Sequence, residues 1–219
     1  MKNQRETYET VPSYKQRCPK EEEGVLRNQL FDYLGSRDDR KLILIHGRAG
    51  QGKSTLAADF LRSRDKRFSF YIIDAWDSDT RRLAAGLLSG LLREGRTYSL
   101  STEEPEEDFL RLVSDSIRED HFLVLDDFHL LEPESEAHVF IQHIINRLPP
   151  NLHLVIISRR HPSIELARLR SAKELVEVGD EDLSFTKDEI RLFVQKIALI
   201  PLPGGLFEQL YDLVGGWIT

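Results

Sequence analysis

The amino-acid sequence predicts an α/β fold, a mostly parallel five-stranded sheet between two layers of helices, followed by a purely helical segment. Three observations carry this expectation. Short apolar segments of β character alternate with stretches whose apolar residues recur at helical spacing, the pattern of successive βαβ units. Within "HFLVLDDFHLL" (His121–Leu131) four apolar residues run consecutively and are bounded by acids, as in a strand buried on both faces of a parallel sheet. Finally, "GRAGQGKST" (Gly47–Thr55) packs three glycines into six residues, between a β-leaning segment and a helical one.

Taken in chain order, residues 1–20 are polar, lack a clear period and read as a tail. A short helix is expected from Glu21 to Leu34, with Val25, Leu26, Leu30 and Leu34 on its apolar side. Lys41–Ile45 reads as the strand before the glycine-rich loop, and "LAADFLRSR" as the helix after it. The second strand, Phe68–Asp74, runs into "AWDSD", where Asp74, Asp77 and Asp79 read as turn-formers rather than ligands. Ala84, Leu87, Leu88, Leu91 and Leu92 follow helical spacing, as do Phe109, Leu110, Val113 and Ile117. After the His121 strand comes a helix on Phe140, Ile141, Ile144, Ile145 and Leu148, which Pro149-Pro150 stops. Leu152–Ser158 is the next strand, then a charged helical stretch, then an edge strand at Glu174–Val178. Thr186 and Glu189 form a T-x-x-E capping box ahead of Ile190, Phe193, Val194 and Ile197, and "LFEQLYDLVGGW" opens one more helix. The expected organisation is a tail (1–20), a nucleotide-binding domain (21–180) and the beginning of a helical lid (181–219).

Composition narrows the class. With 219 residues, 40% hydrophobic and 31% charged, the chain can bury a sizeable core. No apolar run approaches the roughly 20 residues that span a bilayer. The N-terminus is too polar for a secretory signal, so a cytoplasmic protein without a membrane partner is expected. Cys18 is the single cysteine, which excludes an internal disulfide and a Cys-rich zinc site. Thirty basic against 37 acidic residues give a net charge of −7, the wrong sign for a domain that grips nucleic acid. The basic pairs Arg81-Arg82 and Arg159-Arg160 are isolated in sequence.

The glycine-rich stretch is G-x-x-x-x-G-K-[ST], a P-loop. Such a pattern matches by chance in on the order of one window in 10^4 to 10^5, and its strand–loop–helix setting lowers that further. Gly47, Arg48, Ala49, Gly50, Gln51, Gly52, Lys53, Ser54 and Thr55 would wrap a triphosphate with inward N–H groups at a helix N-terminus. Lys53 would reach the β- and γ-phosphates, and Ser54 would give a hydroxyl to magnesium. In "FLVLDD", Asp126 ends a buried strand and would hold magnesium, while Asp127 would polarise the attacking water. Arg159, at the end of "IISRR", would sense the γ-phosphate, with a surface ion pair as its alternative; Arg160 reads as surface. His46 reads as structural. His121 and His129 flank the acidic strand, and no His/Asp/Glu spacing suggests a zinc cage.

"LVLDDFHLL" followed by "NLHLVIISRRHPSIELARLRSAKELVEVGDEDLSFTKDEIRLFV" resembles the nucleotide-binding domain of MalT-like regulators, STAND-class signal-transduction ATPases close to the AAA+ group. The resemblance runs from about Val25 onward. It takes in Arg27, Leu30 and Leu34, "YIIDAWDSD", the run from Ser158 to Arg170, "DLSFT" and a terminal "GGW". It implies a P-loop NTPase three-layer sandwich, with the Asp126 strand beside the Ser158 strand and that one beside the P-loop strand. It also implies an ATP/ADP switch with slow hydrolysis, responding to an inducer, self-associating on activation and driving an effector, often a helix-turn-helix. The P-loop keeps Gly47, which some relatives lack. By the same resemblance the sequence stops inside the lid, before a winged-helix portion whose histidine contacts the ADP phosphate, so an excised domain is expected. Two other functions fit the motifs: a DNA-associated AAA+-type motor or loader, which the acidic balance disfavours, and a non-hydrolysing nucleotide-binding scaffold.

Overall fold

Five parallel strands form one sheet in the computed structural model: β1 (Leu42–His46), β2 (Arg67–Ile72), β3 (His121–Asp126), β4 (Leu152–Ser158) and β5 (Leu175–Val178). Their order is β2-β3-β4-β1-β5, with every neighbouring pair parallel. The structure describes residues 6–7, 12–21, 24–25, 27–92, 99–100, 104–196 and 204–216. The expected neighbours are confirmed: β4 lies between the strand ending in Asp126 and the strand entering the P-loop. Its residues are buried from end to end, which accounts for the apolar run at residues 154–157 within "LHLVIIS".

Alternation along each strand sorts side chains onto two faces. Leu42, Leu44, Leu123, Leu125, Leu154 and Ile156 pack into the core shared with α3 (Thr80–Leu92), α4 (Pro105–Ser116) and α5 (Glu136–Arg147). Ile43, Ile45, Phe122, Val124, Val155 and Ile157 face the opposite core with α1 (Asn28–Gly35) and α2 (Lys53–Ser63). Beyond β4 and β5 come the short α6 (Ala167–Ser171) and α7 (Asp180–Leu183), then α8 (Lys187–Lys196) and α9 (Gly204–Val214). The last two share a small core of Ile190, Val194 and Phe207. The capping box at α8 is formed: the Glu189 carboxylate accepts from the Thr186 N–H at 2.8 Å, and Thr186 Oγ1 accepts from the Glu189 N–H at 3.3 Å.

Two local readings change. The helix expected from Glu21 begins at Asn28, because Arg27 has a non-helical backbone and its side chain is committed elsewhere. Its guanidinium donates to the carbonyls of Asp182, Leu183 and Ser184 and stacks 4.6 Å from the Phe185 ring, tying the segment before α1 to the chain entering α8. Leu26, Ile197 and Trp217, used in the sequence reading, lie outside the described residues. Within the polar stretch 1–20, Ser13–Gln16 forms a 3-10 turn whose Lys15 is buried. The Lys15 ammonium stands 2.6 Å from Asp77 and 2.9 Å from Asp74. Asp74 and Asp77 shape their turn as expected, the Asp74 N–H donating to Asp77 and the Trp76 N–H to Asp74. They also anchor the N-terminal segment.

Candidate functional site

The loop Gly47–Gly52 leaves the carboxyl edge of β1 and delivers the chain into α2. Gly47 has no room for a side chain: a Cβ there would stand 2.4 Å from Gln51 Oε1 and 2.9 Å from Asp180 Oδ1. Gly52, immediately before α2, has φ +70°, a left-handed conformation that favours glycine. The loop is pinned at both sides. The Gly47 N–H donates to the Ser158 carbonyl at 3.2 Å, and the Arg48 N–H donates to Asp180 Oδ1 at 3.1 Å.

Lys53 and Ser54 open α2, so its unpaired N–H groups and positive dipole end face the loop. The Lys53 ammonium donates to the Arg48 carbonyl at 2.6 Å. Burial pulls the Lys53 pKa below the ordinary lysine value, with the Asp126 carboxylate pulling the other way and Arg159 adding to the depression. Asp126, at the end of β3, accepts a hydrogen bond from the Asp127 N–H at 2.8 Å, and the nearby Ser54 hydroxyl favours its ionised form. Burial nevertheless raises its pKa above the usual carboxylate range. The sequence thus brings Lys53, Ser54 and Asp126 together. A serine hydroxyl beside a carboxylate is a hard oxygen pair of the kind magnesium takes.

Asp127 adopts φ +55°, rare for a residue with a side chain, and this bend leaves its carboxylate half-exposed past the sheet edge. Its Oδ1 stands 3.8 Å from His129 Nδ1, a buried nitrogen without a hydrogen-bond partner among the described residues. Burial lowers the His129 pKa, so this ring is neutral at pH 7. Arg159 and Arg160 follow β4 as exposed side chains, and Arg159 makes no ion pair among the described residues. Its charge is felt at both Lys53 and His129.

Sequence reasoning missed two parts of the site. Asp180 lies at the start of α7, 132 positions from the amide it holds, and nothing local marks it. A cavity of about 210 Å³ opens beside the loop, lined largely by apolar groups that include Val25, Phe31, Leu56, Phe185 and Phe193. It is built from three separate segments and touches the loop at Gln51, Gly52 and Thr55.

The state of Asp126 gives a first expectation. Its folded pKa is raised, so holding it ionised at pH 7 costs stability, whereas below the carboxylate range the group is neutral and the cost is absent. Asp126→Asn should therefore raise the melting temperature of the metal-free protein at pH 7, with the gain shrinking as pH falls. Melting curves at both pH values check this; an equal gain at low pH would reject burial of charge as the cause.

A family model described as an AAA domain matches residues 36–160, more than half of the chain. The chain belongs to the AAA domain family. Within this AAA family it is similar to MalT regulators: it is 30% identical over 220 residues to the HTH-type transcriptional regulator MalT of Yersinia pestis, covering 95% of this chain and 24% of that protein. Identity to MalT of Cronobacter sakazakii is 28% over 222 residues, covering 95% of this chain and 24% of the relative. The chain therefore spans about a quarter of the length of the MalT regulators it matches. Among solved structures, a STAND protein with a tetratricopeptide repeat sensor from Pyrococcus horikoshii matches with TM-score 0.56 at 15% identity, over 91% of this chain and 29% of the other. The Aeropyrum pernix ORC1 protein, solved in complex with DNA, matches with TM-score 0.53 at 20% identity, over 86% of this chain and 53% of its own. These two likenesses establish the P-loop NTPase fold of the AAA domain. The family implies nucleotide binding, and among the described residues no helix is long and apolar enough to cross a membrane.

Proposed function

We propose that this chain is the ATP/ADP-binding regulatory module of a MalT-like signalling protein, a switch whose hydrolysis is slow. One observation carries the reading: Lys53, Ser54 and Asp126 meet at the N-terminus of α2, beneath a loop whose backbone amides are fixed from both sides. In this reading residues 21–180 form the nucleotide-binding domain and 181–219 begin a lid. Backbone amides of Gly47–Thr55 and the Lys53 ammonium take the β- and γ-phosphates. Ser54 and Asp126 would hold magnesium, which neutralises charge developing on the phosphate oxygens.

The bent backbone at Asp127 supports its role in orienting the attacking water, because its carboxylate projects past the edge where the γ-phosphate would lie. Arg159, without an ion pair among the described residues and close enough to influence Lys53, suits a γ-phosphate sensor. The apolar cavity beside Thr55 fits the adenine base, held between α1, α2 and the chain entering the lid. Arg27 joins those same segments, so base binding and lid position would be linked. Inducer sensing, self-association and an effector belong to the longer protein in this reading, and direct nucleic-acid binding does not belong to the acidic domain.

A ligand that binds only the folded state adds roughly 2.7 kcal/mol at 100 times its dissociation constant. For a protein of this size that raises the melting temperature by about 5–10 °C. Millimolar Mg–ADP should produce such a shift, and an unchanged midpoint would sink the nucleotide assignment. Asp127→Asn should lower phosphate release from ATP by about 10^2-fold or more, the loss expected of a general base, while the ATP-induced melting shift stays. Wild-type turnover in that variant would move the water-orienting role elsewhere.

A further inference from the structure

We propose that His46, His161 and Glu177 form a binding site for a divalent transition-metal ion of the zinc type, at the carboxyl edge of the sheet. Three neighbouring strands deliver the residues: His46 ends β1, Glu177 lies on β5, and His161 follows β4 by three positions. Their ligand atoms all lie within 4.8 Å of one another. His161 Nε2 and Glu177 Oε1 stand 3.2 Å apart, close to the roughly 3.3 Å that separates two donors on a tetrahedral zinc ion. Drawing His46 onto the same ion closes the widest gap by about 1.5 Å at most, within reach of side-chain rotation.

Hydrogen bonding around the cluster favours a cation. His161 Nδ1 lies 2.9 Å from the Pro162 carbonyl oxygen, which can only accept, so Nδ1 carries the proton. In the neutral ring, Nε2 then presents its lone pair to the Glu177 carboxylate, another acceptor. Two acceptors at this distance need a cation between them, either a second proton on the ring or a metal ion. A ligating histidine ordinarily donates its other N–H to a carbonyl in this way. Arg170 holds the remaining Glu177 oxygen at 2.7 Å, orienting the carboxylate and leaving Oε1 turned to His161. His46 packs edge-on against the His161 ring, with centroids 5.2 Å apart, and neither of its ring nitrogens has a hydrogen bond among the described residues.

Two imidazoles and one carboxylate select zinc, cobalt or nickel over magnesium or calcium, which take all-oxygen sets. The site is separate from Ser54 and Asp126. His46 continues the strand face of Leu42 and Leu44, whereas α2 covers the opposite face. Bound there, an ion would tie the residue before Gly47 to the loop that carries Arg159. Metal occupancy would thus restrain both sides of the phosphate site without touching phosphate.

The test uses the 219-residue chain freed of metal with a chelator, then titrated with Zn2+ in excess Mg–ADP so that Ser54 and Asp126 are occupied. One equivalent of Zn2+ should bind at pH 7.5, and Co2+ in its place should give the visible bands of a four-coordinate ion. His161→Ala and the near-isosteric Glu177→Gln should each weaken binding at least 10-fold, while His143→Ala, on exposed α5 surface, leaves it unchanged. The circular-dichroism spectrum of each variant verifies folding. Absence of a bound equivalent in the wild type would falsify the site, as would full retention by folded His161→Ala and Glu177→Gln.

Discussion

Lys53→Ala should cost about 10^2-fold or more in ATP affinity while leaving the nucleotide-free protein as stable as before. Hydrogen bonds to charged groups contribute about 1.5–3 kcal/mol each, and an ammonium between two phosphates makes two of them. At 1.4 kcal/mol per factor of ten, losing both exceeds two decades. Without nucleotide the same ammonium is poorly placed: among the described residues it donates to the Arg48 carbonyl, and burial disfavours its charge. Deleting it therefore removes a charge that burial disfavours rather than a support. The informative measurement is the pair of melting temperatures with and without Mg–ATP. Loss of the ligand shift with an unchanged free midpoint is expected. A free midpoint that drops by many degrees would make Lys53 a structural residue and remove it from phosphate binding.

Lys15→Met should lower the melting temperature by on the order of 10 °C. Asp77 is fully buried and receives the Lys15 ammonium, the Tyr71 hydroxyl at 2.8 Å and the Asp74 N–H. Removing one partner of a buried ion pair leaves the other charge uncompensated, which costs about 3–5 kcal/mol, or roughly 2–4 °C per kcal/mol at this size. Asp74 adds a pH signature. Burial alone would raise its pKa, but hydrogen bonds from Lys15 and Tyr14 outweigh it and hold the group below the usual value. A depressed carboxylate contributes stability above its unfolded pKa of about 3.9, and loses it as pH falls through the lower folded value. The variant should accordingly lose less stability than wild type on acidification below about pH 4. Melting within 1 °C of wild type at pH 7 would show that residues 12–17 contribute nothing to the fold.

Much of the architecture was legible because it rests on local periodicity. The strand ending in Asp126 and the one ending in Ser158 each hold four consecutive apolar residues, 122–125 and 154–157, and each helix on either side repeats its apolar residues at one face. Where the reading slipped, a distant partner had overridden the local signal. Arg27 interrupts an expected helix because its hydrogen-bond acceptors lie at residues 182–184. Lys15 sits in a polar stretch without period, yet it is buried because two aspartates some 60 positions away receive it.

The glycine-rich loop before α2 and the aspartate that ends β3 were determined by the sequence alone, since a nine-residue pattern fixes backbone conformation locally and a strand-ending aspartate is marked by its own apolar run. The resemblance in sequence implied that the strand ending in Ser158 lies between the Asp126 and P-loop strands, but which strands β2 and β5 pair with was decided only by the tertiary structure. Inserting β4 between β1 and β3 and placing β5 outside β1 brings Asp180 onto the Arg48 amide, and His161 and Glu177 beside His46. None of those groupings has a spacing that could announce it. Residues 46, 161 and 177 become neighbours because parallel strands share a carboxyl edge, where chain segments far apart in sequence are stacked about 5 Å apart.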